Sequence, residues 1–201
     1  PLGRAGVPDG QQPGSAPGPD RAVAGGPGTA ARAGQSTFFS EFETLELENF
    51  NSLLDQPTRF PFAKRIDGLV KVYDQLNTVI SSTIRDKQIP FVLAGDHGSA
   101  GGTIAGIASA LPKARIGVIW IDAHADIHTP YTTPSGNLHG MPLATALSLD
   151  NKACQINEVE DETVRLWEQL KMTGVERAKI KAEDLVYIAV RDTEPEEDHL
   201  L

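Results

Sequence analysis

Apolar runs that alternate with helix-patterned stretches predict an α/β fold, a three-layer αβα sandwich built around a mainly parallel sheet. Three observations carry this. Residues 115–121 hold Ile116, Val118, Ile119, Trp120 and Ile121 almost without interruption, as expected for a strand covered on both faces by helices. Two further short β-rich runs, 90–94 and 185–190, are separated from it by segments of helical character, the alternation that βα units produce. All three runs end in polar clusters: Asp96 and His97, then Asp122, His124 and Asp126, then Arg191 and Asp192. In open parallel sheets the ligand crevice lies at the carboxyl ends of the strands.

The chain divides into a tail, residues 1–37, and a domain portion, residues 38–201. Within residues 1–34, 15 positions are Gly or Pro and almost none is large and apolar, so the tail cannot bury enough surface to repay its ordering and is predicted to be disordered. Residues 38–54 turn acidic, with Phe38, Phe39, Phe42, Leu45, Leu47, Phe50, Leu53 and Leu54 recurring as in a short helix or packed lead-in. Leu69, Val72, Leu76, Val79, Ile80 and Ile84 recur at three- and four-residue steps, which predicts a helix over 66–85 with one apolar stripe. Pro90 to Ala94 is the first predicted strand, ended by Gly95. The small, Gly-containing stretch 100–111 is predicted as a tightly packed helix. After the strand at 115–121 come a Pro/Thr/Gly-rich loop, a helix at 141–149, a surface helix at 162–172 and the third strand at 185–190. The acidic run before the surface helix suits a helix dipole.

Composition excludes several function classes. A net charge of −9 disfavours an electrostatic grip on nucleic acid or anionic membrane. Cys154 is the only cysteine, which rules out an internal disulfide framework and a Cys-rich zinc site and fits a reducing compartment. No apolar run approaches the roughly 20 residues of a spanning helix, and no short apolar signal core opens the chain. The expectation is a soluble, cytoplasmic protein.

The chemistry concentrates in the histidines. Asp122-Ala123-His124-Ala125-Asp126 sets two carboxylates around one imidazole at a predicted strand end. Gathering such groups is costly unless a cation holds them. Carboxylates with imidazole and no thiolate favour a hard or borderline divalent ion such as Mn²⁺ over structural zinc. Two ions sharing a carboxylate would lower the pKa of a water and suit metal-assisted hydrolysis. The glycines around Asp96 lack the sequence context of a phosphate loop, and Ser135 lacks the base a covalent nucleophile needs. His128 stays open between a structural and a functional role, and Arg191 with Asp192 reads as a buried ion pair bracing the rim.

Taken together, Gly95-Asp96-His97, Ile121-Asp122-Ala123-His124-Ala125-Asp126 and Ser135-Gly136-Asn137-Leu138-His139-Gly140-Met141-Pro142 resemble three successive motifs of the ureohydrolase family, closest to its arginase branch. Arg191-Asp192-Thr193-Glu194-Pro195-Glu196-Glu197 resembles the family segment that meets the substrate's amino group. The resemblance implies an arginase-like fold of which residues 38–201 are the N-terminal part. It implies that His97, Asp122, His124 and Asp126 ligate two Mn²⁺ ions, with Asp126 also at the reacting centre. His139 would shuttle protons. Ser135, Asn137 and His128 would lie against the substrate's α-carboxylate, and Glu194 and Glu197 would face its α-ammonium. The implied reaction is attack of a hydroxide bridging the ions on the guanidinium carbon of arginine, giving urea and ornithine, in a trimer or hexamer. Three departures from the pattern stand out. The family's downstream Asp-x-Asp motif does not occur before Leu201, so four of six expected ligands are present and this stretch alone is expected to turn over slowly or not at all. His128 stands where the family carries Asn, and Glu194 where many members carry Asp. Agmatinase or formimidoylglutamase activity, or a non-catalytic ureohydrolase-like module, are the alternatives.

Overall fold

A computed structural model describes residues 44–201. The predicted tail, and Phe38, Phe39 and Phe42 of the lead-in, lie outside the described residues. The rest of the lead-in is irregular apart from a 3₁₀ turn at Asn51–Asp55. It leans on the first long helix, α1 (Ile66–Arg85), which buries Ile66, Leu69, Val70, Val72, Tyr73, Leu76 and Ile80. The spacing that predicted this helix is the spacing of its buried face. Asp67 in its first turn and Arg85 in its last complement the helix dipole.

α2 (Ala100–Ala110) packs along α1, and its glycines set the distance between them. A Cβ on Gly102 would stand 2.9 Å from the Tyr73 Cα, and one on Gly106 would stand 2.6 Å from the Ile80 Cβ. Both contacts are closer than carbon atoms tolerate, so the small residues let the two backbones approach. α3 (Pro142–Leu147) is buried throughout, and α4 (Asp161–Met172) adds Leu166, Trp167 and Leu170 to the core. Inside that core the Trp167 indole donates to Asp150 Oδ1 at 3.0 Å, an acceptor shared with Lys171 Nζ at 2.6 Å. A buried tryptophan N–H needs such an acceptor.

β1 (Val118–Ile121) and β2 (Leu185–Ile188) pair in parallel, with Val118 opposite Leu185 and Ile121 opposite Ile188. Both strands are shorter than their apolar runs. Two expectations need correction. Residues 90–94 form no strand; they run as irregular chain with Phe91 73% exposed, and Ile89 just before them is 95% exposed. An apolar run becomes a strand only when a neighbour takes its hydrogen bonds, and β1 bonds only to β2 among the described residues. The sheet is also not covered on both faces: Val118, Trp120, Leu185 and Tyr187 pack inward, whereas Ile119, Ile121, Val186 and Ile188 are exposed. The helical layer, the parallel pairing and the position of the polar clusters beyond β1 and β2 follow the predicted α/β plan.

A candidate metal centre and its rim

The centre assembles beyond the end of β1. The Asp122 amide still bonds to Ile188 O at 3.2 Å, and the chain then leaves the sheet through residues pinned from several sides. Tyr187 Oη on β2 donates to Ala125 O at 2.9 Å. The amides of Arg191 and Asp192 both donate to Ala123 O, the Leu143 amide of α3 donates to Asp126 O, and the His128 amide donates to Gly140 O. Asp126 itself adopts a left-handed backbone, φ 51°, a conformation that persists in a non-glycine residue only when its surroundings overdetermine it. Such pinning holds Asp122 and Asp126 facing one point after the chain has left the strand.

On the opposing segment, Asp96 accepts the Gly98 amide at 2.7 Å, turning the chain into the 3₁₀ turn His97–Ser99. That turn brings His97 Nε2 to 3.3 Å from Asp126 Oδ2. His97, Asp122 and Asp126 each present a ligand atom within 4.8 Å of the other two. The hydrogen bond to Asp126 holds the His97 imidazole above the usual histidine pKa against the opposing pull of burial. Burial pushes Asp122 upward, but the His124 amide and the His97 charge outweigh it and leave the carboxyl below its ordinary value. Burial dominates at Asp96 and pushes its carboxyl up. Two carboxylates and one imidazole around a shared point, with no sulfur, are the donor set of a hard or borderline divalent cation.

His124 stands at the edge of this group. Its Nδ1 is 3.4 Å from Asp122 Oδ1 and its Nε2 is 3.6 Å from Asp192 Oδ2, with the ring half exposed. His139 sits on the 3₁₀ turn Leu138–Gly140, its ring centroid 5.8 Å from that of His97 and its Nδ1 3.9 Å from Asp96 Oδ2. The rim residues fall into two sets. Asn137 accepts Lys64 Nζ at 3.3 Å and its amide donates to Ser135 Oγ, in a loop where Gly136 has φ 75°. Separately, His128 Nε2 lies 3.0 Å from Glu194 Oε2 and 3.7 Å from Glu197 Oε2. Glu197 is buried and accepts the Ile127 amide, and it exchanges hydrogen bonds with Glu194 as a capping box opening α5 (Pro195–Asp198). The His128 bond holds the Glu194 carboxyl below its ordinary value, whereas burial pushes Glu197 up.

Arg191 and Asp192 are not the buried pair expected of them. Both are exposed; Arg191 donates to Ala189 O, and Asp192 faces His124. The left-handed φ of 71° at Ala189 turns this segment off β2 and swings it outward. Sequence reasoning also missed Trp120, whose indole donates to Asp126 Oδ2 at 3.0 Å, and Thr132, buried behind His128 with its hydroxyl 3.1 Å from Nδ1. A tryptophan one residue before the end of an apolar run is a signal for the first, because its N–H seeks an acceptor when buried. Nothing in the spacing points to the second.

The Arginase family model matches residues 7–201. The chain is 34% identical over 187 residues to rat arginase-1, covering 91% of this chain and 53% of that protein. It is 38% identical over 138 residues to a Brevibacillus brevis arginase, covering 69% of this chain and 40% of that one. Among solved structures, the native Bacillus caldovelox arginase aligns with a TM-score of 0.63 at 28% identity, over 87% of this chain and 54% of that one. An Entamoeba histolytica arginase bound to L-ornithine aligns with a TM-score of 0.52 at 29% identity, over 71% and 43%. The chain thus spans about half the length of the relatives it matches, or less.

Proposed function

The chain belongs to the arginase family, and from that premise we propose that it supplies part of the active site of a manganese-dependent enzyme that hydrolyses arginine to urea and ornithine. The observation that carries the reading is the convergence of His97, Asp122 and Asp126 at the end of β1. His97, Asp122, His124 and Asp126 would hold two Mn²⁺ ions, with His124 contributing once its ring turns from Asp192 toward the cluster. When bound, the metal pair supplies an activated water at neutral pH and positions it for the guanidinium carbon.

The remaining residues would bind, orient and move protons. Trp120 fixes the Asp126 carboxylate through its indole N–H, and Asp122 is held by the His124 amide. His139 is half exposed beside His97, a position from which an imidazole can exchange protons with solvent and pass one to the departing amine. Ser135 and Asn137 would meet the substrate's carboxylate, and Glu194 and Glu197 its ammonium group. Assembly as a trimer or hexamer and a cytoplasmic location belong to the same reading. Among the described residues no helix is long and apolar enough to cross a membrane.

The test is urea release from L-arginine by the full-length parent protein loaded with Mn²⁺, with agmatine as the competing substrate. His124→Asn should abolish urea release. Urea from agmatine but not from arginine would transfer the assignment to the neighbouring activity, and urea from neither would remove the enzymatic reading.

A further inference from the structure

The carboxylates of Glu194 and Glu197 form a seat for a cation, and in this chain the seat is already taken. His128 Nε2 lies 3.0 Å from Glu194 Oε2 and 3.7 Å from Glu197 Oε2, and the three side chains offer ligand atoms within 4.8 Å of one another. The hydrogen-bond network fixes the direction of the first contact. Thr132 Oγ1 accepts the Thr129 amide at 3.0 Å and lies 3.1 Å from His128 Nδ1. In the tautomer in which Nδ1 accepts the Thr132 hydroxyl proton, Nε2 carries the ring proton and donates it to Glu194 Oε2, a carboxylate oxygen that can only accept.

Glu197 has little left to offer. Its Oε1 accepts the Ile127 amide at 3.2 Å and its Oε2 accepts the Glu194 amide at 3.3 Å, and the side chain is 3% exposed. His128 is itself 7% exposed and Thr132 fully buried, so the imidazole is packed in place behind the rim. An ammonium group arriving from solvent finds the inner oxygens of both carboxylates engaged by groups of the protein.

We propose that His128 occupies the seat of a ligand ammonium between Glu194 and Glu197 and is the residue that sets how strongly this site distinguishes guanidino acids bearing an α-amino group from those lacking one. The inference rests on the reading that this rim binds the amino-acid end of the substrate. With His128 in place, an α-ammonium competes with an N–H donor 3.0 Å from Glu194, so its presence adds little affinity. Replacing the imidazole with a shorter side chain frees Glu194 Oε2, and the ammonium then gains a charge-assisted hydrogen bond, worth about ten-fold in affinity.

The experiment compares two non-reacting ligands that differ only in that group, L-ornithine and 5-aminopentanoate, by titration calorimetry on the Mn²⁺-loaded full-length parent protein. The wild type is expected to bind them within about three-fold of each other, and His128→Asn to favour ornithine by about ten-fold more than the wild type does. An unchanged ratio in a folded His128→Asn protein overturns the proposal. So does a wild-type preference for ornithine of about thirty-fold or more, a measurement that needs no variant to fold. Failure of the wild type to bind either ligand overturns it as well, together with the amino-acid reading of the rim. Urea release separates the two ideas: urea from arginine with an unchanged ratio removes the role of His128 alone. A ratio that moves as expected in a protein releasing no urea removes the catalytic reading alone.

Discussion

Replacing Trp120 with Phe removes the indole N–H from the candidate centre and leaves a smaller aromatic ring packed inward on β1. The lost bond is the indole N–H to Asp126 Oδ2 at 3.0 Å. Asp126 is 3% exposed, so water cannot readily replace the donor, and a hydrogen bond to a charged group is worth about 1.5–3 kcal/mol. Mutations behind metal ligands cost about 10- to 100-fold in metal affinity, which converts to about 1.4–2.7 kcal/mol, so two independent scales agree. The remaining contact on that oxygen is His97 Nε2 at 3.3 Å, and without the indole the carboxylate can rotate toward it. Trp120→Phe in the full-length parent protein should therefore weaken Mn²⁺ binding by about 10- to 100-fold and also lower the thermal midpoint of the metal-free protein. Following free Mn²⁺ by electron paramagnetic resonance during a titration measures the affinity directly. Wild-type affinity in a folded variant would refute the argument that the indole holds Asp126 in its ligating orientation.

Other predictions concern stability. Burial lowers the Lys179 ammonium from 10.5 to about 8 although its Nζ donates to Lys171 O near the end of α4. Below pH 8 both folded and unfolded chains carry the proton and folding bears the cost of burying it, about 3 kcal/mol for that gap. Between pH 8 and 10.5 only the unfolded chain keeps the proton, so stability should rise with pH through this window. Lys179→Met should then be more stable than wild type at pH 6.5 by about 2 kcal/mol after loss of the helix-end contact, an advantage that fades toward pH 10.5 in urea unfolding; a variant less stable at pH 6.5 would show that the contact outweighs burial. Gly102→Ala places a methyl 2.9 Å from the Tyr73 Cα and should cost about 1–3 kcal/mol despite alanine's better helix propensity; an unchanged melting temperature contradicts it. Asp150→Ala strips the acceptor from Trp167 Nε1 and one of two carboxylates from Lys171, which keeps Glu168 Oε1 at 2.8 Å, and should destabilise by about 1–3 kcal/mol, read as a fall in the denaturant midpoint.

The helices and the motif residues were legible in the sequence because both are local. The stripe from Leu69 to Ile84 and the apolar face of α4 repeat at the helical period, and a face that must be buried announces itself through spacing alone. Likewise the Asp-Ala-His-Ala-Asp run names its donors without help from the fold, and the family resemblance led to the same group that the family model matches. Strand formation at 90–94 was not legible, since a strand depends on a partner for its hydrogen bonds and the run carries only its own apolarity.

Sequence by itself determined which chemistry is possible: an α/β chain with a sulfur-free, carboxylate-rich set of candidate metal ligands, in motifs of which two follow the runs that become β1 and β2. Only the tertiary structure decided which members of that set meet. It brought His97, Asp122 and Asp126 together and left His124 facing both Asp122 and Asp192. It put Trp120 against Asp126, turned Arg191 and Asp192 outward, and joined His128 to Glu194 across 66 residues of chain. The physical reason is that ligand type is a property of a residue, whereas a distance of 3 Å between residues far apart in sequence is a property of every turn, helix contact and pinned carbonyl between them.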